Sequence, residues 1–322
     1  MEKMSARRIA HTYSIVARDP ETSEMGVAVQ SHYFSVGPIV PWAEPGVGAV
    51  ATQAMVDISY GPLGLELMRT GSTAQQALEA LLASDKNPAL RQVAMLDAKG
   101  NIATHTGEKC IPEAGHSKGR DYSVQANMML SNRVWPSMAE AFEGGEGGLA
   151  ERMLQSLEAA EEAGGDIRGK QSAAILIVRG ETPRKIWEGR IVDLRVEDHP
   201  EPLKELRRLV QLHRAYQHAS RGDLAIEEKD VDKALAEFRA AERLVPQNHE
   251  IRFWHAVSLV NAGRVEEAVP LFKKIFERNR NWAKLLPRLS KVDILRADES
   301  LIQRIVSIDR SGRSRRRPRR LT

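Results

Sequence analysis

Thr12 is the residue of this sequence whose type and position most directly suggest a chemistry. Thr12 and Ser14 alternate with Tyr13 and Ile15, a period of two that is typical of a β-strand and places both hydroxyls on one face. If the chain is cut just before Thr12, the new α-amine has an ordinary pKa of about 7.7–8.0 and can take the proton from the threonine's own hydroxyl. The alternative, which the spacing alone favours, is an ordinary β-branched strand residue.

A predicted hairpin brings further polar residues close to Thr12. The turn at residues 20–24 returns the chain into a second strand at residues 25–31. Gln30, Ser31 and His32 end that strand, and we expect one of them to line a pocket at Thr12. A role for His32 as a general base is the less favoured alternative.

The rest of the first two hundred residues reads as a scaffold of strand pairs and helix pairs. A glycine-rich strand is predicted at 46–53, a helix at 62–69, and a second helix with Ser72 and Gln75 in a capping box. A hairpin follows at 92–106, then a loop at 107–121 and a strand-like segment at 122–127. Helices at 135–143 and 149–163 precede strands at 172–178, 185–187 and 190–196. This order indicates a layered α+β domain.

Everything beyond residue 202 is predicted to be helical, with a period of 34 residues. Ala234 matches Ala268, and Phe238 matches Phe272 at that spacing. The two units, residues 215–248 and 249–282, resemble tetratricopeptide repeats, and helices at 203–213 and 283–294 would cap the stack. We therefore predict a leader arm at 1–11, an α+β domain at 12–200, helical repeats at 203–296 and a basic tail at 297–322.

Composition limits the class of protein further. The net charge is +4, and an arginine-rich tail supplies much of the excess, so no specific nucleic-acid surface is indicated. We expect that tail to be solvated and disordered, and a contact with RNA or an acidic protein is the alternative. Cys110 is the only cysteine, which excludes an intrachain disulfide and fits a cytoplasmic location. No signal peptide or membrane-spanning run is predicted.

Six ordered motifs in residues 12–202 resemble the DUF1028 family. They are TYSIVARDPET at 12–22, GVGAVATQ at 46–53, HTG at 105–107, VQANMML at 124–130, GGDIRGKQS at 164–172 and VDLRVEDHP at 192–200. That family is similar to the N-terminal-nucleophile (Ntn) hydrolases in fold. The resemblance implies a four-layer αββα sandwich followed by the tetratricopeptide-like helical domain.

The same resemblance implies an amidohydrolase-type site with Thr12 as nucleophile. The backbone near Gln53, or its side chain, is the candidate oxyanion donor. Asp166 and Ser172 are placed to orient a terminal amine, although residues 166–169 could equally form a tight turn with an internal Asp–Arg pair. Asn127 is a candidate for binding an amide or carboxylate of the substrate. Eleven residues precede Thr12, so this chemistry requires cleavage of the His11–Thr12 bond.

Two function classes follow from these expectations. In the first, the chain hydrolyses an amide-like bond of a small molecule or peptide, and its repeats bind a protein partner. In the second, it is a non-catalytic binding or scaffold protein. Neither requires a metal or organic cofactor, since His105 and His116 lack metal-ligand spacing. A Cys110 nucleophile is a weaker alternative, and self-association of the chain stays open.

Overall fold

The computed structural model describes residues 9–308 as two compact units, the first ending at Val210 and the second beginning at Gln211. The arm before Ile9 and the arginine-rich part of the tail lie outside the described residues. The division falls after the predicted boundary at residues 200–203. The reason is that Leu203 and Leu206, like Val210, pack into the core of the first unit.

The first unit is built from antiparallel strands and four helices. The strands are β1 (Ile9–Ala10), β2 (Thr12–Arg18), β3 (Met25–Ser31), β4 (Pro41–Glu44), β5 (Gly48–Met55), β6 (Arg91–Asp97), β7 (Ile102–Thr106), β8 (Gly115–Gly119), β9 (Tyr122–Ala126), β10 (Ser172–Val178) and β11 (Arg190–Val196). The helices are α1 (Tyr60–Arg69), α2 (Ala74–Ser84), α3 (Val134–Glu143) and α4 (Leu149–Glu162).

These elements form four layers. One sheet has the order β1-β5-β6-β7, with β4 also paired to β5, and the other has the order β11-β10-β3-β2-β9-β8. One apolar cluster joins the two sheets, a second joins the first sheet to α1 and α2, and a third joins the second sheet to α3 and α4. The αββα sandwich predicted from the family resemblance is confirmed.

The central strands are buried on both faces because each face is covered. Along β2, Tyr13 and Ile15 pack towards the helices α3 and α4, whereas Val16 packs between the sheets. Thr12 and Ser14 share the face of Val16, since side chains alternate along a strand. The period of two therefore points both hydroxyls of β2 into the space between the sheets.

Four local predictions differ from the structure. Residues 9–10 of the predicted arm form β1, because their backbone pairs with the open edge of β5 at Met55 and Ala54. The predicted loop at 107–121 contains β8, which completes a hairpin with β9. Residues 186–189 form a 3₁₀ turn rather than a strand. The capping box of α2 uses Thr73 and Gln76, one residue later than predicted, because the sequence repeats the same residue types in adjacent positions.

The second unit consists of helices that match the predicted repeat. They are α5 (Pro202–Glu227), which begins in the first unit, α6 (Val231–Leu244), α7 (His249–Asn261), α8 (Val265–Arg278), α9 (Asn281–Ser290) and α10 (Glu299–Ser307). The predicted helix at 203–213 and the first repeat helix are thus continuous. The last helix occupies part of the predicted tail, because Ile302 and Ile305 are buried in the core.

Residues of the second unit that match at the 34-residue period occupy equivalent, buried positions. Ala234, Phe238, Ala268 and Phe272 are all fully buried. Gly222 allows close helix crossing, because a Cβ there would lie 3.0 Å from the ring of Phe238.

Candidate functional site

Three hydroxyl side chains form a row across the ends of three strands. Thr12 on β2 lies opposite Ser31 on β3, and Ser31 in turn lies opposite Ser172 on β10. Directly opposed residues of antiparallel strands point to the same face. All three residues are fully buried, so the row lies at the end of the inter-sheet space.

Thr12 is covered by the residues that precede it. Its Oγ1 donates a hydrogen bond to the carbonyl oxygen of Ala10 at 2.9 Å. Its nitrogen is part of the peptide bond with His11, and the chain continues back into β1 on the edge of β5. In this form Thr12 is therefore an internal residue whose hydroxyl faces the chain upstream of it.

The carbonyl oxygen of His11 accepts hydrogen bonds from two side chains. Ser31 Oγ donates at 2.6 Å, and Arg168 Nη2 donates at 2.9 Å. This carbonyl belongs to the bond that would have to be cut to expose Thr12. Two donors at a carbonyl oxygen stabilise the negative charge that develops there when the carbon is attacked.

Asp166 holds Arg168 in that position. Arg168 Nη2 and Nε donate to the two carboxylate oxygens of Asp166 at 2.7 and 3.0 Å. The Asp166 carboxylate also accepts from the backbone N–H groups of Arg168 and His32, at 2.9 and 3.2 Å. Of the two interpretations offered for residues 166–169, the structure has the turn with an internal ion pair, and the arginine of that pair reaches the residue before Thr12.

Ser172 is engaged elsewhere in this form. Its hydroxyl donates to the carbonyl oxygen of Tyr33 at 2.5 Å and accepts from the Val36 N–H at 3.1 Å. These bonds hold the loop that follows β3. Both contacts of its hydroxyl lead away from Thr12, so an orienting role towards the amine stays a prediction.

The imidazole of His11 is buried and bonded through one nitrogen. Its Nδ1 lies 2.6 Å from Asn127 Oδ1. Because the Asn127 Nδ2 group donates to Gln92 Oε1 at 2.8 Å, Oδ1 is the acceptor and Nδ1 carries the proton. His11 Nε2 is buried without a hydrogen-bond partner. Burial is the main cause that lowers the pKa of His11, and the nearby Arg168 acts in the same direction.

A network of buried amides connects the two sheets beside Thr12. Gln53 Oε1 accepts from Ser14 Oγ at 2.6 Å, and Gln53 Nε2 donates to Gln92 Oε1 at 2.7 Å. Gln125 Nε2 donates to Ser14 Oγ at 2.6 Å. A buried network of this kind is stable only when its members are satisfied, so these side chains are held in fixed orientations.

Gln53 and Asn127 also anchor the backbone of Thr12. The carbonyl oxygen of Thr12 accepts from Gln53 Nε2 at 3.2 Å and from the backbone N–H of Asn127 at 3.1 Å. The structure therefore brings both predicted residues to Thr12, at its carbonyl side. Next to Gln53, Ala54 has a positive φ of 69°, a strained conformation of the type that clusters at functional sites.

Gln30 and His32 are placed differently. Gln30 lies opposite Tyr13, which packs towards the helices, so its side chain is on the other face of the sheet from Thr12. Both polar atoms of that side chain are buried without a partner. His32 is half-buried and meets Asp166 through its backbone. Among Gln30, Ser31 and His32, it is Ser31 whose side chain reaches the bond before Thr12.

The remaining candidates lie away from Thr12. Cys110 is buried, its Sγ lies 3.4 Å from the Arg91 carbonyl, and burial raises the pKa of its thiol, which disfavours a thiolate nucleophile. His105 Nε2 bonds the Pro88 carbonyl, and His116 Nδ1 bonds Thr106 Oγ1. Within residues 9–308 no group of three or more His, Cys, Asp or Glu residues could hold a metal ion.

The sequence alone does not predict four residues of this site. His11 carries no local signal, since it precedes every recognisable motif. The motif at 164–172 predicts Arg168 only as a partner of Asp166. Gln92 and Gln125 occupy buried strand positions, and a glutamine in an otherwise apolar strand is a signal that could have pointed to them.

The first unit is an αββα sandwich of antiparallel sheets, and its first long strand begins at the site threonine. The family described as "Family of unknown function (DUF1028)" matches residues 12–206, and a tetratricopeptide repeat family matches residues 225–289. Among solved structures, the crystal structure of a DUF1028 protein from Silicibacter pomeroyi is similar at 32% sequence identity with a TM-score of 0.57. The similarity covers 63% of this chain and 88% of that chain. The comparison with curated proteins gave no match.

The chain belongs to the DUF1028 family and carries a tetratricopeptide-type region after the family domain. Such repeats are surfaces for protein partners. Within residues 9–308, none of the helices combines the length and apolar character that crossing a bilayer requires. The family match begins at Thr12, so the segment that covers the threonine lies outside it.

Proposed function

We propose that this chain is an amide hydrolase of the N-terminal-nucleophile type that frees its own nucleophile by cutting the His11–Thr12 bond. The observation that carries the proposal is the pair of donors, Ser31 Oγ and Arg168 Nη2, on the carbonyl oxygen of His11. His11 lies between β1 and β2, where one donor would satisfy its carbonyl oxygen, so a second and charged donor is more than hydrogen-bond satisfaction requires.

The cleavage uses only groups of the chain and one water. Thr12 Oγ1 attacks the carbonyl carbon of His11, and the oxyanion that forms is stabilised by Ser31 and Arg168. The C–N bond then breaks, the Thr12 nitrogen takes up the proton that Oγ1 has lost, and an ester joins the His11 acyl group to Thr12 Oγ1. Water hydrolyses that ester, which leaves a His11 carboxylate and a Thr12 residue with a free amine and hydroxyl.

Thr12 stays anchored after this cut. Its carbonyl oxygen is held by Asn127 N–H and Gln53 Nε2, and neither bond involves the residues that leave. The free amine then serves as the base for Thr12 Oγ1 in each turnover. The amide carbonyl of a substrate would meet the donors that the His11 carbonyl meets in the uncut chain.

The test determines the N-terminus of the full chain after it has been made by cell-free translation and purified. Timed incubation, followed by intact mass and N-terminal sequencing, should show loss of residues 1–11 and a new terminus at Thr12. Thr12→Val should stay uncut, whereas Thr12→Ser should still be cut. Thr70→Ala is the matched control, because the exposed Thr70 also donates its hydroxyl to a nearby backbone carbonyl.

Two results would contradict the proposal. One is a folded wild-type chain that remains intact in this assay and in the source cells. The other is a Thr12→Val chain that loses residues 1–11 as fast as wild type, which would assign the cut to another protease. After the cut, amide hydrolysis should be present in wild type and absent in Thr12→Val.

A second candidate function is favoured by the buried state of Thr12 and by the repeat region. If residues 1–11 stay attached, the αββα domain is a non-catalytic scaffold, and the helical repeats hold a segment of a protein partner. This function predicts an intact N-terminus in the native host. The same sequencing experiment therefore separates the two candidates.

A further inference from the structure

Residues 9–11, here called the leader strand, fill a groove that other chains could fill. Ile9 and Ala10 pair antiparallel with Met55 and Ala54 on β5. On this edge, β5 pairs with β4 along the first part of its length and with the leader strand beyond the end of β4. We call the surface that contacts the leader strand the acyl groove. Removal of the leader strand would leave main-chain groups of β5 open for an extended peptide.

The acyl groove selects side chains at two positions. Ala10 is fully buried within the apolar core between the sheets, so the position accepts a small residue and a larger one must displace its neighbours. His11 is 2% exposed, and its side chain bonds Asn127 Oδ1 through Nδ1. The second position thus favours a side chain with an N–H donor.

The charge at the groove is balanced. Arg168 is paired with the buried carboxylate of Asp166 through two hydrogen bonds. Its Nη2 group also donates to the carbonyl oxygen of His11. The arrangement suits a neutral amide carbonyl rather than a free carboxylate, which would bring a second negative charge close to Asp166.

The chemistry of the cut links the leader strand to a substrate. The ester formed by self-cleavage joins an acyl group ending in Ala-His to Thr12 Oγ1. A peptide substrate whose acyl part ends in Ala-His would form the same ester on the same oxygen. The contacts that place the leader strand for the first reaction are therefore the contacts that place a substrate for later ones.

We infer that the acyl groove is the substrate site, and that its substrates are extended peptides with a small residue second before the cleaved bond and an imidazole- or amide-bearing residue directly before it. This inference rests on the proposed function, which it deepens by naming the substrate class. Small amino-acid amides, which cannot pair with β5, are excluded as good substrates.

The first experiment measures hydrolysis by the full chain after it has lost residues 1–11. The probe is acetyl-Ile-Ala-His-aminomethylcoumarin, compared with the Ile-Leu-His and Ile-Ala-Leu analogues and with a version N-methylated at the alanine. We expect kcat/KM to be about tenfold or more lower for each of the three. Equal hydrolysis of all four, or a preference for single amino-acid amides, would overturn the inference and leave the proposed function intact.

The second experiment tests the groove without catalysis. In a Thr12→Val full chain, which keeps its leader strand, Ala10→Arg should displace that strand because an arginine cannot enter the core. Fluorescein-labelled Ile-Ala-His-amide should then bind at least about tenfold more tightly than to Thr12→Val alone, and Ile-Leu-His-amide should not. His11→Gly in the same background is a milder second variant, for use if Ala10→Arg misfolds.

Equal peptide binding by the Thr12→Val chain with and without Ala10→Arg would show that the leader strand does not occupy a peptide-binding groove. If the chain neither cuts itself nor hydrolyses any probe, the proposed function fails. Peptide binding by the displaced chain would then still identify the groove as a peptide site.

Discussion

The hydroxyl oxygen of Ser31 lies 2.6 Å from the carbonyl oxygen of His11, on the peptide bond that precedes Thr12. We predict that Ser31→Ala slows self-cleavage by about 10²-fold, because loss of one oxyanion donor has effects of that size. Ser31→Thr keeps a hydroxyl and should restore most of the rate. Ser84→Ala, at an exposed helix end, is the control. Quantitative mass spectrometry of cut and uncut chain measures the rates, and an unchanged rate in Ser31→Ala would count against the assigned donor.

Arg168 and Asp166 should behave as a coupled pair. Arg168→Met leaves the fully buried Asp166 carboxylate without its cation, which we expect to destabilise the first unit by about 3 kcal/mol. The double variant Arg168→Met with Asp166→Asn should be less destabilised than Arg168→Met alone. Urea denaturation, monitored by hydrogen exchange in β2 and β10, measures the stability of the single and the double variant. Strictly additive effects would show that the two side chains do not depend on each other.

Docking of the leader strand should weaken in acid. Burial, the largest cause, lowers the pKa of docked His11 below its ordinary value of 6.5, Arg168 lowers it further, and the Asn127 bond and Asp166 oppose the change. A displaced His11 therefore binds a proton more readily than a docked one. Docking is at full strength above pH 6.5 and is lost as the pH falls from 6.5 towards the docked pKa.

The opening equilibrium of the leader strand should rise by up to about tenfold per pH unit within that window. Hydrogen exchange at Ala10 and Ala54 measures it in a Thr12→Val chain. His11→Gln, whose amide can donate to Asn127 without titrating, should lack the pH dependence at matched pH values. The same pH dependence in His11→Gln would mean that another group is responsible.

The second unit offers a matched pair of leucines for a stability test. Leu286 on α9 is fully buried, and Leu224 on α5 is 57% exposed. Leu286→Ala should lower the unfolding free energy by about 2–5 kcal/mol, whereas Leu224→Ala should change it by no more than about 0.5 kcal/mol. Denaturation, monitored by hydrogen exchange in α7 and α8, measures the difference in unfolding free energy between the two variants. Similar effects for both variants would contradict the burial seen for Leu286.

Much of the fold could be read from periodicity. Alternation at Thr12, Tyr13, Ser14 and Ile15 fixed β2, and the positions Phe238 and Phe272 fixed the repeat. These patterns are local, because side-chain direction follows from backbone geometry over a few residues. Predictions were weakest where two registers were equally good, as at Thr73, or where a short strand is formed only by its partner, as in β1 and β8.

The sequence by itself determined that Thr12 begins a strand, that Gln53 and Asn127 belong to motifs around it, and that a 34-residue helical repeat follows. Only the tertiary structure decided that Ser31 and Arg168 meet at the carbonyl of His11 and that the leader strand seals the site. The physical reason is distance along the chain. Arg168 and His11 are 157 residues apart in sequence, and only the packing of strands β2, β3 and β10 in one sheet brings such residues into hydrogen-bonding contact.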